Sequence, residues 1–369
     1  MRRRLLIFIS IVQSILIAGH LFLYETWEIF WGAGRAQSHW KVQLALGLLS
    51  ISFVSASLLS HRYSNALVRM YYTGAAAWLA FVNFAVLAAC GCWIVYGGIR
   101  IAGLYPDRSA LAGIFLTLAV LATLYGIINA WRIRVKKITV MLPNLPESWR
   151  GRAAVLVSDV HLGHVRNLGT IRRVIAMLTR LRPDVIFITG DLFDGVQVNL
   201  DRLARPWADI TPPLGTYFVT GNHEEFTDRT KYLDALERFG VRILNNEKVM
   251  VDGLQIVGVH YGNAVNGPRF ESHLKQVALD RERASILLVH EPRHLAIAEA
   301  EGFSLQLSGH THRGQFFPFT RIVARIYKQY AYGLQQWGNL AVYTTSGAGT
   351  WGPPIRVGTN PEIVLIQFE

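Results

Sequence analysis

The stretch LSGHTHRGQFFP, residues 307–318, sets two histidines two residues apart in a turn-forming segment, directly after the apolar run 303–307. A short apolar run closed by Gly, Ser and Thr reads as a buried strand, with His310 and His312 just past its C-terminal end. The arrangement recurs upstream. VLVSDVHLGH (155–164) ends in Asp159 and His161, FITGDLFDG (187–195) in Asp191 and Asp194, FVTGNHEEF (218–226) in Asn222, His223 and Glu224, and LLVHEP (287–292) in His290. In an α/β fold such strand ends converge on one crevice, so five segments would bring carboxylates, an amide and imidazoles to one place. That is the donor mixture of a divalent-metal site, nitrogen and oxygen without thiolate. Residues two apart at an extended strand end point to one side, so Asp159 with His161, and His310 with His312, can each approach one ion or an adjacent pair. Gly190, Gly221 and Gly309 precede three of the groups, where the chain must turn sharply and come close to an ion. One DxH or HxH alone is more often a cap or a core hydrogen bond; five in register argue for a site.

Outward from these segments, residues 132–369 have the pattern of an α/β domain. Runs at 153–157, 185–189, 216–220, 254–259, 286–289, 303–307, 341–345 and 363–368 read as strands, and 171–181, 230–239 and 293–300 as helices. Residues 1–131 are different. Four apolar stretches, about 5–24, 42–60, 74–96 and 110–131, are each long enough to cross a bilayer, giving an N-terminal four-helix transmembrane region. Trp27, Trp31, Trp40, Tyr63, Tyr71, Tyr72, Tyr105 and Trp131 gather near their ends, as interfacial aromatics do. Gln13, Asn83 and Asn129 read as hydrogen bonds between helices rather than a transport path. The basic start Arg2, Arg3, Arg4 resembles that of a signal peptide, but no small-x-small cleavage site follows and three more spans do, so an uncleaved anchor is expected.

Charge is distributed with the same asymmetry. Residues 1–140 carry 13 Lys+Arg against 3 acids and residues 141–369 carry 24 against 22, so +10 of the net +12 lies in the first part. Such an excess flanking apolar spans fits a membrane surface, and the near-neutral remainder argues against nucleic acid as a partner and against a nuclease. Arg2, Arg3, Arg4, Arg62, Arg69, Arg132, Arg134, Lys136 and Lys137 fall on one side of the spans, against Arg35, Lys41, Arg100 and Arg108 on the other. By the positive-inside rule both termini and the α/β domain face the cytosol, in an inner (cytoplasmic) membrane. Cys90 and Cys92 are two apart in one apolar stretch and can neither bridge each other nor form a zinc site alone.

The order DxH, GDxxD, GNHE, a lone strand-end histidine and GHTH resembles the calcineurin-like metallophosphoesterase superfamily across residues 140–369. The segments YTTSGAGTWGPPIRVGTNPEIVLI (343–366) and GHTHRGQFFP (309–318) are similar to a bacterial membrane-associated branch that includes the YkuE and YaeI phosphoesterases. The resemblance implies an α/β domain built as a two-sheet β-sandwich flanked by helices. It implies two divalent ions, Mn, Fe or Zn, with Asp159, His161 and His312 holding one, Asn222, His290 and His310 the other, and Asp191 bridging. It also implies His223 as the catalytic histidine that contacts the phosphoryl oxygen or protonates the leaving group. Two ions about 3.5 to 4 Å apart can activate a bridging water and clamp an in-line phosphoryl transition state.

Smaller readings stay open. Asp194 either orders a ligand by a hydrogen bond or caps a turn. Glu224 either orients a ligand histidine or starts a helix. Arg313 departs from the family pattern, which usually has a small residue there; it either reaches solvent or grips a substrate phosphate. His164, His260, His273 and His294 match no motif and read as surface or structural. TRIVARIYKQYAYGLQQ (320–336) is basic and amphipathic as a helix, suited either to an anionic membrane surface or to packing on its own domain.

The function expected is a membrane-anchored hydrolase of phosphodiester, phosphomonoester or pyrophosphate bonds, acting on a phosphorylated small molecule or lipid. A lipid-linked nucleotide pyrophosphatase similar to the UDP-diacylglucosamine hydrolases is one specific version. The alternative from another class is a non-catalytic membrane sensor or scaffold on the same fold.

Overall fold

The computed structural model describes residues 2–32, 39–225 and 228–369. The chain forms two compact units, residues 1–128 with 352–355, and residues 129–351 with 356–369.

The first unit is helical. Helix α1 (Arg2–Trp27) runs into a π-helical turn (Glu28–Gly32), followed by α2 (Trp40–Ser60), α3 (Ala66–Ile101) and α4 (Arg108–Ala130). All four are long and apolar enough to cross a membrane. Helix α3 extends well beyond the apolar run that marks it in the sequence. Asn65 caps its N-terminus by accepting from Val68 N at 3.0 Å, so Arg69, Tyr71 and Tyr72 lie in helix rather than in a connecting loop. Polar side chains within the spans find partners, as they must where water is absent. Gln13 Nε2 donates to Ser50 O (3.0 Å), Trp78 Nε1 to His20 Nε2 (2.9 Å) and Trp93 Nε1 to Thr26 Oγ1 (3.0 Å). Arg35, used above for orientation, lies outside the described residues.

Asn129 corrects one expectation. It joins no helix to another: its Nδ2 donates to the carbonyls of Arg356 and Thr359, each at 2.9 Å. It occupies the last turn of α4, where the helix leaves the apolar segment and its side chain reaches the second unit's own backbone.

The second unit is a sandwich of two six-stranded sheets. In chain order its elements are β1 (Arg134–Val140), β2 (Ala153–Val157), α5 (Leu168–Leu181), β3 (Val185–Thr189), α6 (Leu200–Ala204), β4 (Thr216–Val219), α7 (Arg229–Glu237) and β5 (Arg242–Ile243). There follow β6 (Glu247–Val251), β7 (Leu254–Gly258), α8 (Tyr261–Ala264), α9 (Gly267–Gln276), β8 (Ser285–Leu288), α10 (Leu295–Ala300) and β9 (Leu305–Ser308). The chain ends with α11 (Phe319–Tyr327), β10 (Gly333–Trp337), β11 (Leu340–Thr344) and β12 (Glu362–Phe368). One sheet has the order β1-β12-β2-β3-β4-β5 and the other β10-β11-β9-β8-β7-β6.

Alternation along the strands explains the sandwich. Leu156 of β2, Phe187 of β3, Tyr217 of β4, Ile286 of β8 and Leu307 of β9 meet in one core between the sheets. Their neighbours turn the other way: Val155, Val157, Ile186 and Ile188 pack under α5 and α7, and Leu287 under α9 and α10. Both faces of the central strands are therefore buried, which is why VIFIT and SILL read as unbroken apolar runs. Within each sheet β2-β3-β4 and β7-β8-β9 are parallel, so the ends that carry the polar motifs lie together.

Trp149 ties the sheets to each other. It is fully buried, donates Nε1 to Val251 O of β6 at 2.9 Å and sets its ring edge-on to Phe368 of β12 at 5.5 Å. Trp149→Ala should lower stability by about 3–5 kcal/mol, and Trp149→Phe, which gives up mainly the hydrogen bond, by clearly less. Urea unfolding of the detergent-solubilised chain checks this; equal midpoints for the two variants would contradict it.

Candidate metal centre

Three of the five ligand segments leave their strands through left-handed residues. Asp159 (φ 52°), His161 (52°), Asp191 (49°), His310 (70°) and His312 (47°) all have positive φ. Extended geometry therefore does not bring Asp159 to His161, or His310 to His312; an abrupt reversal of the backbone does. Asp and His tolerate this region better than most residues, yet each such position still costs about 1–3 kcal/mol. The surroundings hold them there. A Cβ at Gly309 would overlap Ser158 Oγ and Asp159 Oδ2, and one at Gly221 would overlap the Asp191 carboxylate, so glycine alone admits the approach of these loops.

Two groups of donor atoms result. In the first, His161 Nε2 lies 2.9 Å from His312 Nε2, and Asp159 Oδ1 is 3.5 Å from the latter. In the second, His310 Nδ1 lies 3.0 Å from Asn222 Oδ1 and 3.1 Å from His290 Nε2. Asp191 Oδ2 stands between the groups, 3.2 Å from His290 Nε2 and 3.8 Å from His161 Nε2. Asp159, His161 and His312, and likewise Asp191, His290 and His310, are clustered closely enough to hold an ion each.

Hydrogen bonds outside these groups decide which atoms face inward. His290 Nδ1 donates to Thr189 O at 2.7 Å, and His161 Nδ1 to Asp194 Oδ1 at 3.2 Å. A carbonyl or carboxylate can only accept, so in both neutral rings the Nε2 lone pair points into the cluster. With the rings deprotonated, lone pairs on nitrogen and oxygen converge on the cluster, the donor chemistry that a divalent cation fits. Without an ion, protons on the rings take that place. Burial disfavours a charged His290, but the Asp191 carboxylate overrides it and lifts the ring's pKa to about 10. Burial would likewise raise Asp191, yet His290, His223 and His161 hold its carboxyl well below the usual range.

Glu224 is fully buried and does more than start a helix. Its carboxylate accepts from Asp191 N (3.0 Å), Phe193 N (3.0 Å) and Gly221 N (2.8 Å), locking two ligand loops together. Burial first, and then the charge of Asp191, raise its pKa to about 7. Asp194 accepts from His161 through its carboxylate, and its carbonyl accepts from His223 Nδ1 at 3.0 Å. His223 Nε2 lies 4.0 Å from Asp191 Oδ2, at the rim of the cluster.

Arg313 stands apart from both groups. Its guanidinium lies 4.5 Å over the Tyr332 ring, in a pocket it shares with Arg134 and Lys136. His260 is a core histidine: fully buried, with Nδ1 3.1 Å from Thr220 Oγ1, and driven to a pKa of about 4 by burial and then by Arg229.

Sequence reasoning passed over two neighbours of the centre. Arg356 is fully buried; its Nη1 donates to His312 O (2.8 Å) and its Nη2 lies 3.0 Å from His312 Nδ1, so it clamps the far edge of that ring. Glu291 carries Oε1 3.7 Å from His310 Nε2 and hydrogen-bonds Tyr327 and Arg293. Both sit inside quoted motifs, GPPIRVGTN and LLVHEP, and a buried charge within such a segment was the available signal.

A family model described as calcineurin-like phosphoesterase matches residues 154–314. A transmembrane protein with metallophosphoesterase domain from Danio rerio is 31% identical, over 98% of this chain and 89% of its own length. A metallophosphoesterase of Aquifex aeolicus is 32% identical over 68% of this chain and 98% of its own, and the metallophosphoesterase YkuE of Bacillus subtilis is 31% identical over 61% and 82%. With four helices long and apolar enough to span a bilayer, the chain is a membrane protein. Sequence, two-sheet architecture and His/Asp clusters agree: the chain belongs to the calcineurin-like phosphoesterase family and is a metal-dependent phosphoester hydrolase.

Proposed function

We propose that the cluster is a two-ion centre that hydrolyses a phosphoester or pyrophosphate bond in an amphiphilic, lipid-linked substrate at the cytosolic face of an inner membrane. The observation that carries the two-ion reading is the Asp191 carboxylate, one oxygen of which lies 3.2 Å from His290 Nε2 and 3.8 Å from His161 Nε2. Asp159, His161 and His312 would hold one ion, Asn222, His290 and His310 the other, and Asp191 would serve both. Mn, Fe or Zn suits this nitrogen and oxygen shell. Bound there, such ions supply Lewis-acid polarisation of a phosphoryl group and activation of water. The chain's own residues do the rest. Asp194 fixes the His161 ring, Thr189 the His290 ring and Arg356 the His312 ring. Glu224 keeps the Asp191 and Asn222 loops in register. His223, anchored through Nδ1 on the Asp194 carbonyl, would offer Nε2 to a phosphoryl oxygen or leaving group.

Helix α11 supports an amphiphilic substrate. It buries none of its residues fully; Thr320, Val323 and Tyr327 face inward, while Phe319, Ile322 and Ile326 are 47%, 47% and 60% exposed. Tyr327 hydrogen-bonds Glu291, beside His310, so the helix that carries this apolar face reaches the cluster through its inward side. Exposed aliphatic and aromatic residues flanked by Arg321 and Arg325 match an acyl chain beneath an anionic headgroup.

Asp191→Ala should cut kcat/KM by about a thousandfold or more and reduce bound metal while the protein still inserts into membranes; retained turnover would contradict the shared-ligand role. Replacing Phe319, Ile322 and Ile326 together by serine should lower the ratio of activity on a micellar phospholipid to that on a water-soluble aryl phosphate by roughly tenfold. An unchanged ratio would remove the lipid reading. A reporter fused to the C-terminus should be active only as a cytosolic protein, and protease cleavage of it from outside intact cells would reverse the orientation.

A further inference from the structure

Three cations converge on a pocket of about 220 Å³ to which none of the candidate metal ligands contributes. Arg134 and Lys136 stand two apart on β1, an edge strand, and so share one face. Arg313 comes from the turn after His312, where a φ of 50° directs it away from the neighbouring histidine's cluster and onto Tyr332. The face of that ring attracts the guanidinium and favours this position.

The pocket also contains an acid, Glu362, but its oxygens are already engaged. They accept from Tyr332 (2.8 Å), Tyr343 (3.2 Å), Thr345 (3.0 Å) and Ser346 N (3.3 Å). Among the described residues no ion pair within 4 Å joins Glu362 to Arg134, Lys136 or Arg313. Three cations against the single Glu362 carboxylate leave the pocket with an excess of positive charge, and an anion that accepts from all three relieves their repulsion. Two guanidinium forks and an ammonium are the donors that recognise phosphate oxygens.

Chain connectivity says where such an anion comes from. The last apolar span ends at Ala130 and β1 starts at Arg134. Four residues extend at most about 14 Å and six at most about 22 Å, and each headgroup layer is roughly 5–7 Å deep, so the tether is short enough for the long side chains of Arg134 and Lys136 to meet lipid phosphates.

We propose that the pocket formed by Arg134, Lys136 and Arg313 binds a phosphate-bearing anion, with a phospholipid headgroup as its source, at a site separate from the metal centre. The proposal does not depend on the identity of the hydrolysed substrate. It is tested on the full chain in neutral detergent by the thermal unfolding midpoint with phosphatidylglycerol, phosphatidylcholine or inorganic phosphate added. Phosphatidylglycerol should raise the midpoint of the parent by several degrees more than phosphatidylcholine. The double variant Arg134→Gln/Lys136→Gln should lose at least half of that difference. Arg134→Lys/Lys136→Arg should keep it, as should Arg180→Gln/Lys231→Gln, which removes two exposed cations elsewhere. If inorganic phosphate gives a shift that is equally sensitive to the Arg134→Gln/Lys136→Gln pair, the site stands and its anion is free phosphate. Equal responses of the parent and that pair to every addition, or equal effects of the two lipids on the parent, would overturn the proposal.

Discussion

The carboxylate of Asp191 lies where two sets of ring nitrogens meet, and much of the second unit's local structure serves to keep it there. Its backbone N–H is held by Glu224, its other oxygen accepts from His223 N at 2.9 Å, and Gly221 leaves room for it against the adjoining loop. Removing the charge from that point would leave the imidazoles of His290, His223 and His161 without their common counter-charge. Protonated rings, His290 above all, balance this buried carboxylate, and a bound divalent cation would take over that role and displace the protons.

That constraint accounts for where the backbone is strained. Five candidate ligands sit at positive φ, each at an energetic cost that a soluble loop would relax. They persist because the strands behind them are buried on both faces and cannot shift. The sandwich is thus a rigid frame on which short, strained turns aim their side chains inward. Arg356 extends the frame: while its side chain clamps His312, its carbonyl accepts from Asn129 at the end of α4.

Much of this was legible in the sequence, for identifiable reasons. Buried parallel strands produce apolar runs, and polar residues at their ends stand out against them, so Asp159, His161, Asp191, Asn222, His290, His310 and His312 are each conspicuous in the segment they close, and the structure brings them together. The geometry joining them was not legible, since nothing in DVH or HTH distinguishes an extended pair from two left-handed turns. Strands β1, β6 and β10 were missed because they are edge strands: RVKKITV and GLQQW face solvent along much of their length and lack an apolar signature. Asn129 was misread because an amide inside an apolar helix looks the same whether its partner is a helix or a distant loop. Arg313 could not be resolved between solvent and substrate, and it stacks on Tyr332, 19 residues further along the chain.

The membrane spans, the exposed apolar face of α11 and the basic pocket beside β1 give the catalytic unit three separate features suited to a lipid environment, while the chemistry rests on the metal centre alone. The most direct test of that centre is anomalous X-ray diffraction from crystals of the full chain grown with Mn²⁺. Two anomalous peaks about 3.5–4 Å apart are expected, one bounded by Asp159, His161 and His312, the other by Asn222, His290 and His310, with the Asp191 carboxylate between them. A single peak, or peaks that leave Asp191 uncoordinated, would contradict the two-ion centre.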